Sequence, residues 1–300
     1  MIGLSTAWLH PKGASVEDAI RNAAKAGFKA IELGAWGDMP PAKTLVSLAR
    51  ELHLEYTSVH NIAYRQGLPR NEAFGDGLSS DDRLVRRRAV DSTLKSIELA
   101  SAVGARFVII HAGQVPVPDA HDKQKEIQQL VVAGKAARAR ALTHECMLER
   151  SIVAPAAVEA AAASLAEVFR RSANFPLALE CRALYHEIPQ PGELAFLATV
   201  LPERPLFYWH DVGHARRLEL LGLAPGLIWL RTFSQILAGV HLHDAQHFRD
   251  HRVPGAGDID FKAIAPYLSR KILRIMELPP EPTPAELKKG RAHLEACGIA

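Results

Sequence analysis

The chain has 300 residues, 48% apolar and 23% charged, a composition that suits a globular fold with a sizeable core and excludes a disordered chain. A formal net charge of +3 is too small to imply a nucleic-acid partner, and Cys146, Cys181 and Cys297 are too widely spaced for a disulfide framework or a cysteine metal site. The start, "MIGLSTAWLHPKG", lacks a signal-peptide pattern and no uninterrupted apolar run approaches the roughly 20 residues of a membrane helix, so a cytoplasmic protein with no membrane partner is expected.

Short β-type runs alternate with longer helical patterns, the signature of βα units on a parallel sheet. "IGLST" (2–6) reads as the first strand, and "SVEDAIRNAAKAG" from Ser15 as a capped helix ended by Gly27. "KAIEL" is the second strand; a helix around "AKTLVSLAREL" leads to the third, "EYTSVH". A long helix from Ser80 through Ala102 stops at Gly104 before "RFVIIH". It carries the basic run "RLVRRRAV" (83–90), which reads as a solvated helix face. Two Ala-rich helical patterns follow, at 122–150 and 155–172, more than one crossover requires, so one is expected to be an insertion or lid. "PLALE", "PLFYWHD", "AGVHLHD" and "ILRIME" complete eight strands. Eight strands at this length favour a (β/α)8 TIM barrel, a single domain over 1–300, with an extra helical insertion between strands 4 and 5.

The strands end in polar residues: Glu32, His60, His111, Glu180, Asp211, His241 with His243, and Glu277. In a parallel barrel all these ends meet at one mouth. Side chains alternate with period two, so Phe207, Trp209 and Asp211 point inward together and His210 outward, toward the helices. The same count turns Glu180 inward with Ala178, His111 with Ile109, Glu277 with Ile275, and His241 together with His243. Converging carboxylates repel one another and lose hydration unless a cation compensates. Imidazole with carboxylate suits Zn2+, Mn2+, Co2+, Fe2+ or Mg2+, and a divalent metal ion is the expected cofactor. In "HDVGH", Asp211 is positioned to bind metal and His214, three residues on, to reach substrate or a second ion.

In this order, "GFKAIELG", "SVH", "VIIHAG", "LALE", "HDVGH", "GVHLHDA", "HRVPGAGDIDF" and "RIMEL" resemble the xylose isomerase-like TIM barrels, which include sugar isomerases and epimerases and the endonucleases of the endonuclease IV type. The resemblance implies a metal quartet of Glu180, Asp211, His241 and Glu277, with His243 as the alternative to His241. It implies further that Glu180 and Glu277 act as acid and base and that His214 contacts substrate. The endonuclease branch holds three zinc ions, and His60, His111, His214 and His251 match its additional ligands by motif. At Arg249 the chain departs from that branch, whose aspartate would stand there; Asp250 is one residue out of register. Glu32, Trp8, His247 and Arg249 are further candidates for contacting substrate, with Trp36 and Trp209 also near strand ends.

The expected activity is a metal-dependent isomerase or epimerase acting on a sugar or sugar phosphate through a metal-stabilised enediolate, with proton transfer by Glu180 and Glu277. The alternative is an endonuclease IV-like zinc phosphodiesterase acting at abasic sites in DNA. A small carbohydrate is the expected partner; nucleic acid is disfavoured, and a homo-oligomer is left open.

Overall fold

The structure, a computed structural model, describes residues 1–34, 39–65, 67–68 and 76–300. Trp36 lies outside the described residues. Eight parallel strands form a closed barrel: β1 (Ile2–Ser5), β2 (Ala30–Leu33), β3 (Glu55–His60), β4 (Phe107–Ile110), β5 (Leu177–Glu180), β6 (Leu206–Asp211), β7 (Leu237–Leu242) and β8 (Leu273–Met276), each paired with its sequence neighbours. β8 closes on β1, with Leu4 opposite Met276. The strands are short, apolar and buried on both faces, as parallel strands with helices outside must be.

The helices follow their sequence signals. α1 (Val16–Lys25) starts in a capping box between Ser15 and Asp18, α2 spans Ala42–Leu52, and α3 (Arg83–Val103) is ended by Gly104 at φ 75°. On α3, Arg83, Arg87 and Arg88 are exposed, the solvated face expected of the basic run. α4 (Ala120–Val132) and α5 (Ala136–Arg171) both lie between β4 and β5, one helix more than the crossover needs, and their boundary departs from the sequence expectation. The break falls at 133–135, with Gly134 at φ 70°, and Pro155 lies inside the continuous 36-residue α5. Proline removes one helical hydrogen bond without ending a helix whose flanking turns are anchored. Here Ala154, Ala157, Val158, Ala161, Leu165 and Phe169 anchor them by burial. α5 is long and apolar enough to cross a membrane by length and composition alone, but these residues place its apolar face in the core. α6 (Pro191–Val200), α7 (Val212–Leu220), α8 (Ile228–Phe233), α9 (Phe261–Ile264) and α10 (Pro284–Ala296) complete the outer layer.

Inside the barrel, Ile109, Ala178, Trp209, Ala238, Leu273 and Ile275 form a separate core, with Phe107 and Phe207 packed against it. Trp209 fills so much of this space that a Cβ on Gly239 would come within 2.2 Å of its ring, which is why the facing strand carries glycine. This packed plug is the floor on which the polar strand ends stand.

Candidate metal centre at the barrel mouth

Glu180 ends β5, Asp211 ends β6, His241 lies near the end of β7 and Glu277 follows β8. Register places Asp211 beside His241 and His241 beside Ile275, so these neighbours arrive at one level. One ligand atom from each of Glu180, Asp211, His241 and Glu277 lies within 4.8 Å of all the others. His241 Nδ1 is 2.7 Å from Glu180 Oε1, 3.2 Å from Glu277 Oε2 and 3.7 Å from Asp211 Oδ2.

The other nitrogen of His241 faces Glu32, at 3.1 Å from Oε1. The Ser58 hydroxyl fixes this carboxylate by donating to Oε2 at 2.8 Å. A carboxylate accepting from one imidazole nitrogen leaves the other free to bind a cation, the usual support behind a metal-binding histidine. Glu32 is thus buried behind His241 and does not line the cavity.

His243 is engaged differently. Its Nδ1 accepts from the His251 backbone N–H at 2.9 Å, which makes Nε2 the donor to both oxygens of Asp211 at 3.0 Å. His243 thus orients Asp211 through Nε2, whereas His241 turns Nδ1 toward the carboxylates of the quartet. Gly213 in "HDVGH" permits this approach, because a Cβ there would lie 2.2 Å from His243 Cε1. Asp211 also caps α7 by accepting from the His214 N–H at 2.7 Å. His214 Nδ1 donates to the Cys181 carbonyl at 3.0 Å, leaving Nε2 as its acceptor. His210, facing the helix layer, is hydrogen-bonded to the Tyr208 hydroxyl at 2.6 Å, and burial lowers its pKa to about 4.

Burial opposes ionisation of Glu180, Asp211 and Glu277, yet neighbouring imidazoles hold all three below the usual carboxylate range. His111, His241 and His60 act on Glu180; His214 and His243 lead on Asp211; His241 and His251 lead on Glu277. Such a buried acidic cluster calls for positive charge, and a divalent cation can supply it where protons otherwise must. Three carboxylates with one imidazole and no thiolate fit Mg2+, Mn2+, Co2+, Fe2+ or Zn2+.

Two further donor groups adjoin the quartet, His60 with His111 and Glu180, and Asp211 with His214 and His251. The four additional histidines expected from the sequence, His60, His111, His214 and His251, are therefore at the mouth, and His243 stands beside them on Asp211. The cavity above them, of about 190 Å3, is lined in part by Ala7, His60, His111, His214, His251 and Glu277. His247 and Arg249 are exposed on the hairpin of Asp244–Gln246 and Arg249–Arg252 and do not line it. Trp8 is buried, donating Nε1–H to the Pro282 carbonyl at 2.8 Å and stacking on His10. Trp209 packs edge-on against His241 from below. A larger cavity, about 390 Å3, lies beside His121 and His186 and contains none of the clustered donors.

The sequence reading did not single out Arg182, Arg65 or Glu187. Arg182 and Arg65 line the cavity, and Arg182 Nη2 donates to Glu187 Oε1 at 2.6 Å. Arg182 stands two residues after Glu180, so period-two alternation carried one step past the strand end points to it.

Residues 20–297 match the family described as xylose isomerase-like TIM barrel. The chain belongs to that family. No curated protein matches it by sequence. Solved structures of similar fold include a D-tagatose 3-epimerase-like protein, 17% identical with TM-score 0.71, covering 99% of this chain and 96% of that one. Another is D-psicose 3-epimerase from Clostridium cellulolyticum H10, 15% identical with TM-score 0.68, covering 100% and 99%. A third is 3-keto-D-glucoside 4-epimerase from E. coli, 16% identical with TM-score 0.63, covering 99% of each. At these identities the likeness is one of fold.

Proposed function

We propose that this family member is a divalent-metal-dependent sugar epimerase or isomerase. The observation that carries the reading is the placement of Glu180 and Glu277 around one shared space, at the ends of strands β5 and β8 that flank those of Asp211 and His241. Glu180, Asp211, His241 and Glu277 would hold the ion. When bound, it would lower the energy of the negative charge that develops on oxygen as a proton leaves the carbon beside a carbonyl. Glu180 and Glu277 then exchange that proton from opposite sides, and His214 Nε2 accepts a substrate hydroxyl. The apolar plug below and the histidine walls restrict water. Epimerases among the similar structures support this choice, and the 3-keto-D-glucoside 4-epimerase by its name inverts the carbon beside a keto group.

The test is solvent deuterium incorporation into a panel of ketoses by the metal-loaded protein, followed by NMR. Glu180→Gln and Glu277→Gln should each lower exchange by at least a hundredfold with the circular-dichroism spectrum unchanged. Near wild-type exchange in either variant would defeat the proton-transfer assignment.

The endonuclease IV-like reading draws on the two additional donor groups, since three adjoining sites could hold three ions. Incision of an abasic-site duplex by the zinc-loaded protein tests it directly.

A further inference from the structure

We propose that Arg182 takes the place of a second metal ion beside Glu180. The inference deepens the epimerase reading and concerns the donor group of His60, His111 and Glu180. Two buried imidazoles and a carboxylate within 4.8 Å make a ready divalent-cation site. A cation is already there. Arg182 Nη1 lies 2.6 Å from His111 Nε2 and 3.1 Å from Glu180 Oε2, while these two atoms are themselves 2.7 Å apart. An ion at metal–ligand distances of about 2.1 Å from both would sit no more than about 4 Å from Nη1, on whichever side of the pair it entered. Guanidinium cannot shed its proton to make room, and the site is too buried for water to screen the repulsion.

The side chain is also tethered. Arg182 Nη2 donates to Glu187 Oε1 at 2.6 Å, and the other Glu187 oxygen accepts from the backbone N–H groups of Ala183 at 3.1 Å and Leu184 at 2.8 Å. The two-residue strand Glu187–Ile188 pairs with Gly113–Gln114 and fixes that carboxylate to the barrel rim. Arg182 therefore cannot swing clear without breaking a buried, charge-assisted contact. The donor group has no carboxylate besides Glu180, which already serves the quartet, so nothing in it outweighs the guanidinium. With this group closed, only the quartet and the group of Asp211, His214 and His251 remain for ions, and the three-ion chemistry of a phosphodiesterase is closed off by one side chain.

The experiment counts ions. Wild type, Arg182→Met, Arg182→Lys and His111→Ala are loaded with Mn2+, dialysed and measured by elemental analysis, with Mn2+ magnetic resonance reporting spin coupling between paired ions. Equal ion counts are expected in wild type, Arg182→Lys and His111→Ala, and one further ion, coupled to that of the quartet, in Arg182→Met. Three ions in wild type, a lower count in His111→Ala, or an unchanged count in a folded Arg182→Met would each overturn the proposal. Should Arg182→Met fail to fold, Arg182→Gln takes its place with the same expectation. Absence of epimerisation with the quartet's ion bound would instead refute the proposed function and leave this inference standing.

Discussion

Replacing Gly213 with alanine tests whether the close approach of His243 to Asp211 sets up the centre. The added Cβ would lie 2.2 Å from His243 Cε1, 2.8 Å from its Nδ1 and 2.9 Å from Asp250 Cβ. The ring has no free direction of retreat: it is fully buried, stacks on His251 at 4.1 Å, and is hydrogen-bonded through both nitrogens. Alanine gains up to about 1 kcal/mol over glycine in a helix. Against this stand overpacking, roughly 1–3 kcal/mol, and a weakened hydrogen bond to a carboxylate, roughly 1.5–3 kcal/mol. The net expectation is a loss of roughly 1.5–5 kcal/mol in stability and a roughly 10- to 100-fold fall in metal affinity. Denaturant unfolding and calorimetric metal titration measure the two. In a His243→Ala background the two ring contacts disappear and only the 2.9 Å approach to Asp250 Cβ remains, so the same substitution should cost clearly less. Equal destabilisation in both backgrounds, or none in either, would refute the argument.

Two further substitutions probe the supports of the mouth. Burial alone would push the Glu187 carboxyl up, but Arg182 first, then His214 and His111, bring it down to about 2. A depressed carboxyl stabilises the fold above its unfolded pKa, and that contribution is lost as pH falls from about 4.5 through 2, on the order of 3 kcal/mol in all. Glu187→Gln should therefore be less stable than wild type at pH 7 and show a flatter stability curve between about pH 5 and 2, read by chemical denaturation; parallel curves would contradict the ion-pair account. Pro155→Ala restores a hydrogen bond inside α5 at an exposed position and should raise stability by about 1–3 kcal/mol, the cost of an interior proline partly offset by local adjustment. A lower melting temperature would show that the ring, not the backbone, matters there.

The barrel was legible because each strand announces itself as a short apolar run and helices such as α1 and α3 by a cap or a closing glycine, signals that depend on neighbours in sequence. α5 does not end before Pro155 as the sequence suggests, because a local helix-breaking signal is overridden by burial of the turns on either side. Substrate candidates fared according to the same distinction. His214 is tied to Asp211 by a local capping bond, and it reaches the cavity. His247 and Arg249 hang on a hairpin whose path depends on what it packs against, and they point to solvent.

The sequence by itself determined which residues stand at the strand ends and, through period-two alternation, which side of the sheet they face. It could not separate His241 from His243, since both face the same way. Only the tertiary structure gives the two rings different surroundings, with the Nδ1 of His243 at the His251 backbone and its Nε2 at Asp211, and the Nδ1 of His241 facing the quartet with Glu32 behind it. It likewise decided the place of Arg182. The tether of that side chain, Glu187, is brought to the mouth by pairing with Gln114, a residue from the far side of the helical insertion. Contacts across the barrel depend on closure, and closure is a property of the whole chain.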